Sequence, residues 1–316
     1  MSKIINLGDL HISGNNPKCR LDNLVEVQFQ KLEEVIKFAN KYKMDIYQNG
    51  DFFDSPNISY AIYTRVHNLL RRLETSFFFV YGNHDYFFDN PKTKTSTPLF
   101  SLQSTSPNVH HVYNSDLYIS YQNWKEDIID MKEEIFISHR AVVSNNYFKN
   151  MKEKWLVNTD VTCNSLTPEL EKYRIIFCGH WHKRYIESKR HSTLGTQIII
   201  NPGALTRREA NQDSLDTFPS FVVFDIKTED IELVPLKCAK KAEEVISEKH
   251  LELTRAKRSM TKSIEDFMDN LKKKGKVNKR AFLFNLQNAI IKGCSEDEIE
   301  YFQEILNSCI GDKDAE

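Results

Sequence analysis

Met44-Asp45-Ile46-Tyr47-Gln48-Asn49-Gly50-Asp51-Phe52-Phe53-Asp54 is the stretch on which the fold turns. A short apolar run stops at Asn-Gly-Asp, as a buried strand does when it delivers polar side chains onto the loop behind it. The same arrangement recurs on either side. Upstream, Lys3–Gly8 is a strand that runs into Gly8-Asp9-Leu10-His11; downstream, Phe77–Tyr81 runs into Gly82-Asn83-His84-Asp85. Between them, residues 24–41 place Leu24, Val27, Leu32, Val35, Ile36 and Ala39 at helical spacing, and Ser59–Glu74 has a helical pattern too. Strand–helix–strand–helix–strand predicts an α/β domain with its site on the loops after the strands, where open α/β sheets keep their ligands.

Further strands are predicted at Asp116–Tyr121, Glu134–Ser138, Arg174–Cys178 and Gln197–Ile200, and Phe221–Ile226 with Ile231–Leu236 forms a hairpin. Beyond it the character changes. From Lys240 onward there is no strand signal, and Ile246, Leu253, Met260, Ile264, Phe267 and Leu271 mark one face of a long amphipathic helix. Two more helices follow, over 279–292 and from Ser295. The expected division is 1–238 for the α/β domain and 239–316 for a helical C-terminal region. Residues 140–170 and part of 86–110 carry no clear period.

At 316 residues the chain can bury one large core and an appendage. No apolar stretch is long enough to span a membrane, and the N-terminus enters a strand at once, which predicts a cytoplasmic protein. The six cysteines form no CxxC pair and read as scattered reduced thiols. A formal net charge of −1 withholds the usual argument for nucleic acid, whose phosphates favour basic partners. It also hides a split: 240–292 holds fourteen Lys and Arg against seven Asp and Glu, and 293–316 one against eight.

The polar residues behind the strands form a ligand kit. To Asp9, His11, Asp51 and Asn83 the chain adds Ser138-His139-Arg140 and Cys178-Gly179-His180-Trp181-His182. Carboxylate, amide oxygen and imidazole without thiolate suit hard or borderline divalent ions such as manganese. Two such ions together neutralise the charge of a phosphate ester under attack and acidify the attacking water. One fragment alone would be ordinary loop chemistry. Five in order, each behind an apolar strand, point to a dinuclear phosphoesterase, with Asp51 the best candidate to bridge both ions.

These motifs resemble those of the calcineurin-like metallophosphoesterase superfamily: DxH, GDxxD, GNHD, a lone His and GHxH. The resemblance covers roughly the first 235 residues. It implies a four-layer αββα sandwich of two mixed sheets, here with a C-terminal helical extension. It implies one metal held by Asp9, His11, Asp51 and His182, and a second by Asp51, Asn83, His139 and His180. The ions would be manganese first, with magnesium, iron or zinc as alternatives. His84 would be the acid at the leaving oxygen, with Asp85 orienting it. Asn201-Pro202-Gly203-Ala204 resembles the turn that follows GHxH in many members.

Within the superfamily, Asp54-Ser55 stands where protein phosphatases carry Arg-Gly, which disfavours that branch. The chain is more similar to the nuclease subunit of SbcD-type repair complexes. The Arg20-x-Asp22 loop, the Asp45-to-Asp54 run and the helix ending Leu69-Leu70-Arg71-Arg72-Leu73 carry this likeness. It implies DNA as substrate, and an SbcC-type coiled-coil ABC ATPase docked on the C-terminal helices, in a bacterial cell or phage-infected host. A homodimer is compatible with it. The tail is shorter than in bacterial members and resembles compact phage versions. A phosphatase or small-molecule phosphodiesterase using the same site is the alternative. Arg20 and Arg140 are candidate phosphate contacts, and Lys18, Arg65, Arg71, Arg72, Lys183, Arg184, Arg207 and Arg208 could complete a basic track. The apolar stripe of the tail could equally fold back on the catalytic domain.

Overall fold

The computed structural model describes residues 2–131, 134–144, 161–164 and 166–256. Two sheets carry the fold. The first runs β13-β12-β1-β2-β3-β4, with β1 (Lys3–Leu7), β2 (Asp45–Gln48), β3 (Phe77–Phe79) and β4 (Val109–His111) parallel to one another. The hairpin strands β12 (Ser220–Asp225) and β13 (Ile231–Pro235) complete one edge, with β12 antiparallel to β1. The second runs β10-β11-β9-β6-β5. Here β5 (Ser120–Gln122), β6 (Ile135–Ser138), β9 (Ile175–Cys178) and β11 (Gly195–Asn201) are parallel, and β10 (Tyr185–His191) is the antiparallel edge. A separate ladder joins β7 (Val142–Val143) to β8 (Val161–Thr162).

Alternation along the strands builds the layers. In β1, Ile4 enters a core shared by both sheets, with Tyr47, Phe78 and Phe224 meeting Ile137, Phe177 and Ile200. Ile5 and Leu7 face the other way, onto α1 (Leu24–Tyr42), α2 (Tyr60–Leu70) and α3 (Pro98–Thr105). The outer face of the second sheet buries Phe136, Ile176 and Ile199 under Leu170 of the short helix Pro168–Glu171 and Tyr173. Helix, sheet, sheet, helix is the four-layer α/β sandwich, and strands buried on both faces explain the near-continuous apolar runs in the sequence.

Several elements differ from expectation. The predicted strand at 116–121 forms only at Ser120–Gln122, and the helix at 59–74 ends at Leu70. β10 and α3 were hidden from the sequence: β10 alternates half-buried and exposed residues and is largely polar, and α3 lies where the sequence showed no period. By contacts, the chain divides into Met1–Leu251 and Glu252–Glu316, so residues 239–251 go with the α/β body rather than with the tail. The long helix whose stripe was read from Ile246 onward does not include that residue. A short helix, Ala242–Val245, stops at Ile246, whose extended backbone (φ −112°) pairs with Arg20. Val245, Ile246 and Leu251 then pack on Cys19 and Ala210. Apolar residues there satisfy the body, so that part of the stripe is core. In the second unit, residues 252–256 are helical, and Met260 and the rest of the stripe, like the helices over 279–292 and from Ser295, lie outside the described residues. Cys19, Cys163, Cys178 and Cys238 are free thiols, as expected.

Candidate metal centre

Five loops leave the C-terminal ends of β1, β2, β3, β6 and β9 and converge at the edge where the two sheets meet. Backbone bonds lock them together. The Asp51 carbonyl accepts from the amides of both Leu10 and His11 (3.0 Å each), and the Ser138 carbonyl from Gly179 (3.1 Å). Three candidate ligands, His11, Asp51 and His180, sit at positive φ (47°, 53° and 71°), a conformation that costs a non-glycine residue of the order of 1–3 kcal/mol. Surrounding contacts hold that strain in place. Gly82 has the opposite role: a Cβ there would come within 2.1 Å of Asp51 Oδ1 and 2.4 Å of its amide nitrogen, so only glycine admits the carboxylate.

The donors fall into two groups that share one atom. In the first, Asp9 Oδ2 lies 3.8 Å from His11 Nε2 and 3.3 Å from His182 Nε2, the two imidazole nitrogens are 2.9 Å apart, and Asp51 Oδ2 is 3.6 Å from His11 Nε2. In the second, His139 Nε2 lies 3.2 Å from Asp51 Oδ2, 3.1 Å from Asn83 Oδ1 and 3.2 Å from His180 Nδ1, which is itself 3.0 Å from Asn83 Oδ1. Donors about 2.1 Å from a common ion stand roughly 3.0–3.4 Å apart, so the second group has the spacing of a coordination shell, while the first, at 2.9–3.8 Å, is more loosely gathered. Asp51 Oδ2 belongs to both.

The electrostatics agree. Burial alone would raise the Asp51 carboxyl, yet His139, His11 and His84 hold it well below the usual carboxylate range. Burial would lower His139, but the Asp51 carboxylate raises it to about 9. The field that holds a proton on His139 is one that would hold a divalent cation. Burial drives His11 to about 3 and, with His139, His180 to about 4, so both present neutral nitrogens. Asp9 Oδ2 and His11 Nδ1 are buried without a hydrogen-bond partner, which a cation would explain for the former. His139 Nδ1 is tied to the Asn49 carbonyl at 2.8 Å, leaving Nε2 to face the cluster. The residues present therefore fit a pair of divalent ions.

His84 sits beside this cluster. Its amide donates to Asp51 Oδ1 (2.9 Å), and its ring packs edge-on against His11. Its Nδ1 meets the backbone carbonyl of Asp54 at 2.7 Å. Orientation therefore comes from Asp54 and not from Asp85, as the sequence had suggested. The Asp85 carboxylate is buried and accepts from the amides of Gly82 (2.9 Å) and Phe53 (3.2 Å), splinting the two loops. Burial and the nearby Asp51 charge push it up to about 7. The Asp54 side chain lies 3.6 Å from His11 Nδ1 and 2.7 Å from Arg208 Nη2.

The predicted phosphate contacts divide. Arg140 and Trp124 line an open cleft of about 870 Å³ beside His139 and His180, and the Trp124 ring lies 4.7 Å from that of His180. Arg20 instead turns inward: its guanidinium grips Asp22 with two 2.8 Å bonds and donates to the Arg207 carbonyl (2.8 Å), leaving no fork for an outside phosphate. Much of the expected basic track is likewise engaged within the fold. Arg65 pairs with Glu26, Arg72 with Glu33, Lys183 with Asp213 and Asp216, and Arg184 with the Phe218 carbonyl. The sequence missed Trp124 and the Asn49 and Asp54 carbonyls, because backbone acceptors and lone aromatics leave no motif.

A family model described as calcineurin-like phosphoesterase matches residues 2–184. Among solved structures, TT1561 of Thermus thermophilus is 11% identical with a TM-score of 0.44, over 74% of this chain and 98% of that one. A second is also 11% identical, at 0.38, with the same coverage. No curated protein matches the sequence.

Proposed function

The chain belongs to the calcineurin-like phosphoesterase family, a family of phosphoric ester hydrolases that use divalent metal ions, and from that premise we propose that it is a manganese-dependent DNA nuclease of the SbcD type. The observation that carries the catalytic part is the single carboxylate oxygen, Asp51 Oδ2, common to two donor groups. Asp9, His11, Asp51 and His182 would hold one ion, and Asp51, Asn83, His139 and His180 the other. Once bound, such ions supply charge neutralisation at the phosphoryl oxygens and a more acidic water. The protein's own groups do the rest. Asp54 keeps the His84 ring in one orientation through Nδ1, so that Nε2 can pass a proton to the departing oxygen. Asp85 holds the backbone of the Gly82 and Phe53 loops and thereby the angle of both Asn83 and His84.

DNA is favoured as substrate by the cleft beside His139 and His180, which is open, about 870 Å³ in volume, and furnished with an aromatic ring and an arginine. Asp127, Asp130 and Glu169 share its walls, and this favours the second reading, a phosphodiesterase for small substrates, because acidic walls repel a polyanion. Manganese-loaded protein offered single-stranded DNA, duplex ends and bis(p-nitrophenyl) phosphate separates the two. Cleavage of DNA that chelator abolishes and manganese restores supports the nuclease. Fast turnover of the small diester with no DNA cleaved, alone or with an ATPase partner, sinks it.

The C-terminal region, within the expected 239–316, is proposed as the surface that docks a coiled-coil ABC ATPase, in a cytoplasmic complex. No described helix is long and apolar enough to cross a membrane. Since residues up to 251 pack with the body, the informative truncation begins after Leu251. It should keep the metal centre and lose the partner. Full affinity in the truncated protein would end the docking idea.

A further inference from the structure

We propose that the cavity between the start of α1 and the 205–208 segment is an oxyanion-binding site, built for a phosphate-like group. It is separate from the metal centre and stands apart from the nuclease reading. Arg20, Lys31, Arg207 and Lys240 line a space of about 340 Å³, together with Asp22 and Glu26. A water occupies about 30 Å³ of liquid, so a tetrahedral oxyanion and accompanying water fit.

Charge is the argument. Arg20 is matched by Asp22, and Glu26 by Arg65, with which it is paired on the outside. Lys31 and Arg207 remain, 2% and 5% exposed, and among the described residues no carboxylate lies within ion-pair distance of either. Asp22 and the exposed Glu243 are the nearest negative groups felt by Arg207. Lys31 Nζ donates to the Leu205 carbonyl (2.8 Å) and Arg207 Nη2 to the Lys240 carbonyl (2.6 Å), which satisfies donors without neutralising charge. Arg207 also stacks its guanidinium 5.7 Å from the centre of the Phe218 ring. Its Nε is buried and has no partner at all. Two desolvated cations side by side are costly unless an anion joins them. The start of the 19-residue helix α1 adds its partial positive charge, although Asn16 and Asn23 already cap the Leu24 and Glu26 amides. Burial, then Arg207 and Arg20, push the Lys31 ammonium down to about 7, the relief the protein finds when no anion is bound. An oxyanion held between the Arg207 guanidinium and Lys31 would supply the missing negative charge to both.

The test is titration calorimetry of full-length, chelator-treated protein with inorganic phosphate, ionic strength held constant by chloride. Saturable binding at one site is expected, and Asp51→Asn, which alters only the metal centre, should keep it. Arg207→Met should weaken it by at least about tenfold, and Lys31→Met, a gentler change on a helix, should do the same if the arginine variant does not fold. Deoxyadenosine monophosphate as a second titrant tells a nucleotide monoester from free phosphate; binding of either one keeps the site. Binding of neither titrant by the wild type, or binding untouched by both substitutions, overturns it. So does binding lost in Asp51→Asn but kept in Lys31→Met.

Discussion

The molecule buries charge in two places, and they are opposites. At the convergence of the five loops, carboxylates and imidazoles face one another across distances of 2.9–3.8 Å, a collection of donors around positions a cation would fill. Under the start of α1, Lys31 and Arg207 face a cavity without a carboxylate to pair with, the mirror image of the first. Segment 205–208 touches both. The Leu205 amide donates to the Asp9 carbonyl, Thr206 Oγ1 to that of Leu10, and Arg208 to His11 and Asp54, while the Leu205 and Arg207 carbonyls receive Lys31 and Arg20. Buried like charge is tolerated in both places because a rigid frame fixes the groups, and in both it marks a site for a counter-ion.

The strongest way to break the first half of this comparison is Asp51→Asn, which keeps shape and removes the shared charge. Hydrolysis should fall by ~10³ or more, and in chelator-treated protein the His139 ring, held at about 9 by Asp51, should titrate lower by NMR. An unchanged His139 titration would mean the carboxylate is not its partner. Next in size, Gly82→Ala should abolish tight manganese binding in calorimetry, since its Cβ would fall 2.1 Å from Asp51 Oδ1. Retained stoichiometric binding of two ions would refute that packing. His84→Ala should lower turnover by about 10² while DNA affinity survives in a gel-shift assay; equal loss of both would make the residue structural.

Lys31→Met probes the other half by its pH signature. The folded pKa of about 7 lies below the unfolded value of 10.5, so between them the unfolded chain binds more protons and stability rises with pH. Below about 7 both states carry the charge and the slope vanishes. Urea unfolding from pH 7 to 10 should show this rise in wild type and a flatter profile in Lys31→Met; identical slopes would place the ammonium in water. Smallest of all, Arg208→Ala, which frees Asp54 from its 2.7 Å contact, should cost activity about tenfold through looser His84 and His11 rings and leave metal stoichiometry intact.

The two sites were not equally legible. The metal donors were readable because each hangs on the residue just past an apolar strand, so strand ends and chemistry were written in one short motif. What the motif could not carry was orientation. Asp85 was expected to steer His84, yet a 3-10 turn over Asn83–Asp85 sends the carboxylate back to its own loop, and a carbonyl on the loop of the adjacent strand steers the ring. Arg20 and Arg207 looked like members of a basic rim because a sequence gives charge but not burial. The same blindness hid β10, which alternates in burial but is largely polar, and α3, whose residues show no clear period.

By itself the sequence determined the α/β rhythm, the five loops and the donor types, because local periodicity and strand ends are properties of neighbouring residues. Only the tertiary structure decided which donors share Asp51 Oδ2, that the run from 239 to 251 closes over Cys19 instead of leaving with the tail, and that two cations are left facing a cavity. Those outcomes depend on residues about 170 to 230 positions apart meeting in one place, as His11 meets His182 and Cys19 meets Val245. Charge and type are written along the chain; pairing and desolvation arise only when the two sheets close on each other.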